Sequence, residues 1–215
     1  MFSGIRDLLL HPDAFFERVS HEEVNLIPPV LIVGGVAFFS LVPSLIPIFY
    51  SFTALSGYNR YLALGAMLQH FILCIAALPP IQWAIMALGT HYISRISGGK
   101  GSLAASFQNT GYAMSPMMIS SIGTGILTLA TLSFYHSTSP DIFYWGLSFS
   151  GIKSIITCVF FFWAVYLWIL AVRYTHEFTF RKAAAVAVVP VVILVLLTTP
   201  LFPIIEAIRM AISLL

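Results

Sequence analysis

The sequence predicts an all-α polytopic membrane protein: a five-helix transmembrane bundle with an N-terminal amphipathic interfacial helix. Of the 215 residues, 59% are hydrophobic and 8% are charged, whereas about 25% of residues in ordinary soluble domains are charged. Since so few charges cannot solvate a globule of this size, the bilayer must act as the solvent. Apolar stretches close to the roughly 20 residues that cross a bilayer recur five times along the chain.

Residues 1–26 are predicted to form a cytoplasmic amphipathic segment that is too polar to span the membrane. Pro12 suits the first turn of a short helix, and Asp13 favours the positive N-terminal end of that helix. Phe15 and Phe16 fall on its apolar side. We expect this helix to lie among the lipid headgroups, with both rings buried in lipid or against the bundle.

The remainder of the chain, residues 27–215, is predicted to be one transmembrane domain. Pro28 and Pro29 suit the start of its first helix, because missing N–H groups cost least there. Pro79 and Pro80 predict a kink or tilt that absorbs the excess length of the second apolar stretch. The approximate spans are 27–52, 61–92, 103–134, 150–172 and 183–205.

The start of the fourth span has two interpretations, which place Lys153 at different depths. A helix that begins after Asp141 carries Lys153 about 18 Å along its axis, near mid-membrane. A span between Lys153 and Arg173 instead covers 20 residues, or about 30 Å. We favour this second span because it removes a buried charge that costs about 3 kcal/mol on insertion scales.

Basic residues are distributed unequally between the two sides that five spans define. One side holds seven and the other holds three, and the positive-inside rule places the richer side in the cytoplasm. The N-terminus is therefore predicted to be cytoplasmic and the C-terminus extracytoplasmic. The seven are Arg6, Arg18, Arg95, Lys100, Arg173, Arg181 and Lys182, and the three are Arg60, Lys153 and Arg209.

The third span has a high density of polar residues, which lipid cannot satisfy, so we expect the other helices to surround it. Gln108, Asn109 and Tyr112 could line a polar pathway or a binding pocket. Alternatively, Gly111 and Ser115 are small residues four positions apart, which lets helix backbones approach closely. We favour the packing interpretation, because the span contains no Asp, Glu, Lys or Arg.

The second span also carries polar side chains at positions that we expect to be buried. Gln69 and His70 must find hydrogen-bond partners there, and the polar third span is the simplest source of them. His70 could instead titrate as a gate or a proton relay. Both residues are therefore candidate pocket residues together with those of the third span.

The sequence carries no motif that predicts catalysis, and we expect neither an enzyme nor a cofactor. The segment Gly98–Ser102 has a phosphate-loop character, but Gly101 occupies the position of the magnesium-binding Ser or Thr. We interpret this segment as a flexible connection. A net charge of +2 without a basic run longer than two residues argues against nucleic-acid binding.

Four residues of the N-terminal segment have spacings that suggest a metal cluster on a helix: His11, Asp13, Glu17 and His21. Solvation of an interfacial helix explains the same pattern, and we favour it. We therefore predict no metal site.

The segment His11–Phe16 with its following acidic residues, the five spans with a cytoplasmic start, and the segment Thr110–Pro116 together resemble the Yip domain family. Eukaryotic members look like trafficking factors named for interaction with Ypt/Rab GTPases. This chain lacks their Asp-Leu-Tyr-Gly-Pro type motif and has about 26 residues before its first span. That difference argues against GTPase binding and favours a prokaryotic member.

The resemblance implies that Gly111, Tyr112 and Pro116 are motif residues, with helix packing at least as well supported as ligand binding. We predict a non-enzymatic, multi-pass protein of a prokaryotic cell membrane that organises the membrane or partner proteins through lipid and helix contacts. The lipid bilayer is its expected partner, and protein partners or homo-oligomers remain open. The alternative is a small-solute or ion transporter or channel that uses polar groups of the second and third spans.

Overall fold

The structure is a computed structural model that describes residues 2–54, 61, 64–65, 68, 77–135 and 142–213. The described residues form helices and no strand, which confirms the predicted all-α class for this part of the chain. The helices are α1 (Phe2–Leu10), α2 (Pro12–His21), α3 (Ile27–Ala54), α4 (Leu78–Ile96), α5 (Leu103–Tyr112), α6 (Ser115–Tyr135), α7 (Ile142–His176) and α8 (Phe180–Ser213).

Prolines mark where several helices start. Pro12 is the first residue of α2, Pro28 and Pro29 follow Ile27 in α3, and Pro79 and Pro80 follow Leu78 in α4. A proline in the first helical turn loses no intrahelical bond, because the first N–H groups of a helix have no acceptor within it. The kink or tilt expected at Pro79 and Pro80 stays a prediction, because residues 69–76 lie outside the described residues.

The residues predicted to form the third span make up two consecutive helices. A turn at Ala113 and Met114 separates α5 from α6. The Met114 N–H bonds to the Gly111 carbonyl at 3.1 Å, whereas in a continuous α-helix it would bond to the Thr110 carbonyl. Pro116, the second residue of α6, cannot donate to the Tyr112 carbonyl, and its ring would crowd that carbonyl in a continuous helix. The proline therefore divides the segment.

Both connections between long helices at one end of the bundle are built on ordered helix caps. After α4, Gly98 has a φ of 84° and the Gly99 N–H bonds to the Ser94 carbonyl at 2.8 Å. This geometry is a Schellman motif, so the segment predicted as a flexible connection has a defined conformation. After α7, Glu177 has a φ of 58° and the Phe178 N–H bonds to the Arg173 carbonyl at 3.0 Å.

Helix α5 lies at the centre of the packing. It contacts α4 and α7 extensively and also contacts α3 and α2, as we expected for the polar part of the third span. Around it, α3 packs along α6, α6 along α7, and α7 along α8, while α8 also packs against α4. The main apolar core joins residues of α1 and α2 to residues of α3, α4, α7 and α8.

Two helical stretches in the described residues are long and apolar enough to cross a membrane: Leu103–Thr131 and Gly151–His176. A shorter apolar helix, Ile27–Leu41, lies beside them. Helix α7 continues without a break from Ile142 past Lys153, so both predicted starts of the fourth span fall within one helix. Most of the first half of the predicted second span lies outside the described residues.

Candidate functional site

The candidate pocket residues of the third span are buried or half-buried. Gln108, Asn109 and Gly111 are buried in α5, and Ser115 and Pro116 are buried at the start of α6. Tyr112 is half-buried beside the N-terminal helices. The other two candidates, Gln69 and His70, lie outside the described residues.

Gln108 holds the start of α3. Its side-chain Oε1 accepts a hydrogen bond from the backbone N–H of Asn25. The Asn25 side chain in turn accepts from the N–H of Ile27, the first residue of α3, at 3.0 Å. Since helix starts leave N–H groups without partners, Gln108 and Asn25 together satisfy backbone donors at the α2–α3 connection.

Asn109 joins α5 to α7. Its Nδ2 donates to the Thr175 hydroxyl at 2.7 Å, and the residue is 1% exposed. Its Oδ1 has no hydrogen-bond partner among the described residues. The Nδ2 group therefore forms a bond between helices, which is consistent with a packing role. The Oδ1 atom is left as an acceptor without a partner among the described residues.

Ser106 lies between two histidines that the sequence analysis did not select. Its hydroxyl is 3.2 Å from Nε2 of His176 and 3.4 Å from Nδ1 of His91. The two imidazole rings lie 5.7 Å apart, and the ring of His176 stacks on Phe178. No sequence signal could have paired these histidines, because they lie on different helices and come together only through packing.

The loop Ser97–Ser102 closes over His176. A Cβ built on Gly99 or on Gly101 would lie 2.9 Å from Nδ1 of His176. A Cβ on Gly101 would also lie 2.2 Å from the backbone oxygen of Thr175. Glycine is therefore required at position 101, because the two chain segments touch there.

We expect Gly101→Ala to destabilise this end of the bundle by about 1–3 kcal/mol, the range for an overpacked site. The clash is with a backbone atom of Thr175, which cannot rotate away, so the loop and the last turn of α7 must move apart. Thermal unfolding of the purified variant measures the loss. Gly151→Ala is the matched control, because a Cβ there meets no atom within 4 Å; an equal midpoint for both variants would contradict the close contact.

Lys100 and Glu177 connect the same two loops at the surface. The Lys100 Nζ lies 2.9 Å from Oε2 of Glu177, and both side chains are largely exposed. This hydrogen bond raises the pKa of the Lys100 ammonium and lowers the pKa of the Glu177 carboxyl. Helix α7 ends at His176, and Glu177 turns towards Lys100.

Gly111 is a point of close approach between α5 and its neighbours. A Cβ at this position would lie 2.6 Å from Cβ of Pro29 and 3.0 Å from Nε1 of Trp83. The Trp83 indole donates to the Phe107 carbonyl at 2.8 Å. From the other side, the Trp168 indole donates to the Thr110 carbonyl at 3.3 Å. The turn after α5 leaves that carbonyl without its usual helical donor, so Trp168 serves as a cap.

The N-terminal helices pack against the rest of the bundle through the Asp13 carboxylate and the rings of Phe15 and Phe16. Asp13 accepts from Arg173 at 3.1 Å, from the Tyr174 hydroxyl at 3.0 Å and from the Tyr166 hydroxyl at 3.3 Å. Phe16 is fully buried and Phe15 is 4% exposed. Of the two placements predicted for these rings, the structure has them against the bundle.

The ring of Phe15 meets Tyr112 edge to face, with centroids 5.1 Å apart. The His11–Phe16 segment and the Thr110–Pro116 segment, which carried the family resemblance, are therefore in direct contact. Such an edge-to-face pair adds about 0.5–1.5 kcal/mol beyond burial. Two motifs that are far apart in the chain thus form one packed unit.

Comparison with known proteins identifies the family of the chain. A family model, the Yip1 domain, matches residues 6–201. An uncharacterized protein of the archaeon Methanocaldococcus jannaschii is 28% identical over 120 residues, which cover 55% of this chain and 83% of that protein. No solved structure matches the chain. The predicted resemblance is confirmed, the archaeal relative is consistent with a prokaryotic member, and the chain belongs to the Yip1 domain family of membrane proteins.

Proposed function

We propose that this protein is a non-enzymatic organiser of the membrane, a scaffold that acts through lipid and protein contacts. One observation carries this proposal: polar side chains of α5 form hydrogen bonds within the protein, and some of these bonds join α5 to other parts of the chain. Gln108 bonds to Asn25 and Asn109 bonds to Thr175. Thr110 bonds to the Ser106 carbonyl within its own helix at 2.6 Å. Polar groups used in this way hold a bundle together.

The proposed placement has five spans with the N-terminus in the cytoplasm. The two long apolar stretches in α5–α6 and α7 support a membrane location. Exposed apolar side chains on their outer faces, such as Ile126, Ile155 and Phe162, suit contact with lipid. The basic loops after α4 and α7 lie at one end, as the positive-inside rule requires for a cytoplasmic face.

The proposed protein-contact surface is the outer face of α2. While Phe15, Phe16 and Val19 face inward, Glu17 and Arg18 are exposed on the other side. The docked helix therefore presents a fixed polar face instead of a free amphipathic helix that inserts into lipid. A fixed polar face on the cytoplasmic side suits a protein partner.

Flux measurements in proteoliposomes test the proposal against the transporter alternative. The purified protein is inserted into liposomes, and the flux of a panel of ions and small solutes is compared with that of protein-free liposomes. We expect no protein-dependent flux, because Gln108, Asn109 and Thr110 each form a hydrogen bond within the protein. The wild type is measured beside Asn109→Ala and beside Thr124→Ala, whose hydroxyl bonds to the Ser120 and Ser121 carbonyls within α6.

A transporter would give a different pattern. One observation favours it: Oδ1 of Asn109 and Nδ1 of His176 are buried without hydrogen-bond partners among the described residues. Specific flux that disappears in Asn109→Ala and persists in Thr124→Ala would replace the scaffold proposal with a transporter.

The scaffold proposal also predicts a physical neighbour at α2. A photo-crosslinking residue at position 17 should form protein adducts in the native membrane, because Glu17 faces outward. The same residue at position 162 should react mainly with lipid, since Phe162 is 69% exposed on an apolar helix. If no protein adduct forms at position 17 or at position 162, the result would count against the scaffold proposal.

A further inference from the structure

One edge of the bundle combines exposed cationic and exposed apolar side chains. Tyr92, Arg95 and Ile96 share one face of the last turn of α4, because residues three and four positions apart are neighbours on a helix. Tyr92 is 60% exposed, Ile96 is 89% exposed, and Arg95 is exposed. At the start of α8, Phe180 and Arg181 are also exposed. We call these five residues the basic rim.

Lys182 fixes the two halves of the basic rim beside each other. Its Nζ donates to the Ser97 carbonyl at 2.6 Å, which ties the start of α8 to the turn that follows α4. The same ammonium lies 4.3 Å from the ring centroid of Phe178. Because Ser97 is two residues from Arg95 and Lys182 is next to Arg181, this bond brings together the two chain segments that carry the arginines.

The two arginines of the basic rim differ from Lys100 and Arg173 at this end in having no acidic partner among the described residues. Lys100 pairs with Glu177, and Arg173 pairs with Asp13. Among the described residues, neither Arg95 nor Arg181 forms an ion pair with a carboxylate. Their charges are therefore available to an anion from outside the protein.

We propose that the basic rim binds the phosphate of an anionic phospholipid headgroup. Guanidinium groups match phosphate oxygens in a two-pronged geometry, and the first backbone N–H groups of α8 add donors beside them. The exposed side chains of Tyr92, Ile96 and Phe180 favour a lipid over a soluble phosphate, since acyl chains can cover them. This inference rests on the proposed membrane placement, with this end at the cytoplasmic headgroups.

Lipid retention measures the inference directly. The full chain is reconstituted in nanodiscs with equal amounts of phosphatidylglycerol and phosphatidylcholine, and the lipids retained on the released protein are counted by native mass spectrometry. The wild type should retain phosphatidylglycerol preferentially. A cation near an anionic surface contributes about fivefold in affinity, so Arg95→Gln with Arg181→Gln should reduce the preference by about tenfold or more.

A matched double variant separates a site from a general charge effect. Arg6→Gln with Lys153→Gln removes the same charge from other surfaces, so it should keep the preference. An Arg95→Lys variant with Arg181→Lys keeps both charges and should keep most of the preference. No preference in the wild type, or an equal loss in the Arg6 and Lys153 variant, would overturn the basic rim as a lipid site.

Inorganic phosphate distinguishes the two sources of the anion. Added in excess during reconstitution, it should leave phosphatidylglycerol retention unchanged, because it cannot cover the apolar side chains of the rim. Full displacement by inorganic phosphate would assign the site to a soluble anion and overturn the lipid assignment. Lipid retention is measured independently of solute flux. If the wild type gives specific solute flux and still prefers phosphatidylglycerol, only the scaffold proposal is rejected. If it gives no flux and shows no preference for phosphatidylglycerol, only this inference is rejected.

Discussion

Replacing Phe16 with alanine is expected to release the N-terminal helices from the bundle. Phe16 is fully buried and lies in the main apolar core together with Leu8, Phe15 and Val19. Truncation of a buried phenylalanine costs about 3–5 kcal/mol, which corresponds to a shift in the docking equilibrium of roughly a hundredfold or more. The remaining bonds to Asp13 are at a half-exposed carboxylate and compensate only in part.

Limited trypsin digestion measures this release, because Arg18 lies on α2 and its cleavage requires local unfolding. Cleavage after Arg18 should become much faster in Phe16→Ala than in the wild type. The control is Phe162→Ala, which removes the same ring from a position that is 69% exposed, and cleavage should then remain slow. A folded Phe16→Ala variant with wild-type cleavage kinetics would show that docking does not depend on this ring.

Replacing Gly111 with alanine is expected to separate α5 from α3 and α4. The new Cβ would lie 2.6 Å from Cβ of Pro29 and 3.0 Å from the Trp83 indole. A proline ring cannot rotate away, so the helices must move, at a cost of about 1–3 kcal/mol or more. The Trp83 bond to the Phe107 carbonyl and the Gln108 bond to Asn25 span the same contact and should weaken.

Gly34→Ala provides the matched control, because a Cβ there meets no atom within 4 Å. Alanine also has the higher helix propensity, by about 1 kcal/mol, so Gly34→Ala should be neutral or stabilising. Unfolding midpoints in detergent, followed by tryptophan fluorescence, compare the two variants. A Gly111→Ala protein as stable as Gly34→Ala would exclude a packing role for Gly111.

The features that follow from local chemistry were predictable from the sequence. The all-α class follows from the apolar composition, since only helices or closed barrels satisfy backbone groups in lipid. The start of α2 at Pro12 follows from the chemistry of a single residue. The Yip family resemblance depended on short segments that can be read directly, and the family match confirms it.

The ends of helices were less predictable, because distant residues decide them. Pro116 contains the signal for the break between α5 and α6, but the long apolar stretch around it favoured one continuous helix. Glu177 adopts a conformation that usually requires glycine, with its side chain paired to Lys100 in another loop. No local pattern predicts a helix end of that kind.

The sequence by itself determined the class of the protein, its family, and the residues that make the central segment polar. Only the tertiary structure decided what those residues do, because partners for Gln108, Asn109 and Ser106 come from separate parts of the chain. Helical periodicity gives the face on which a side chain lies, but it does not give the helix that this face meets. The pairing of His91 with His176 and the docking of Asp13 on α7 follow from that long-range packing.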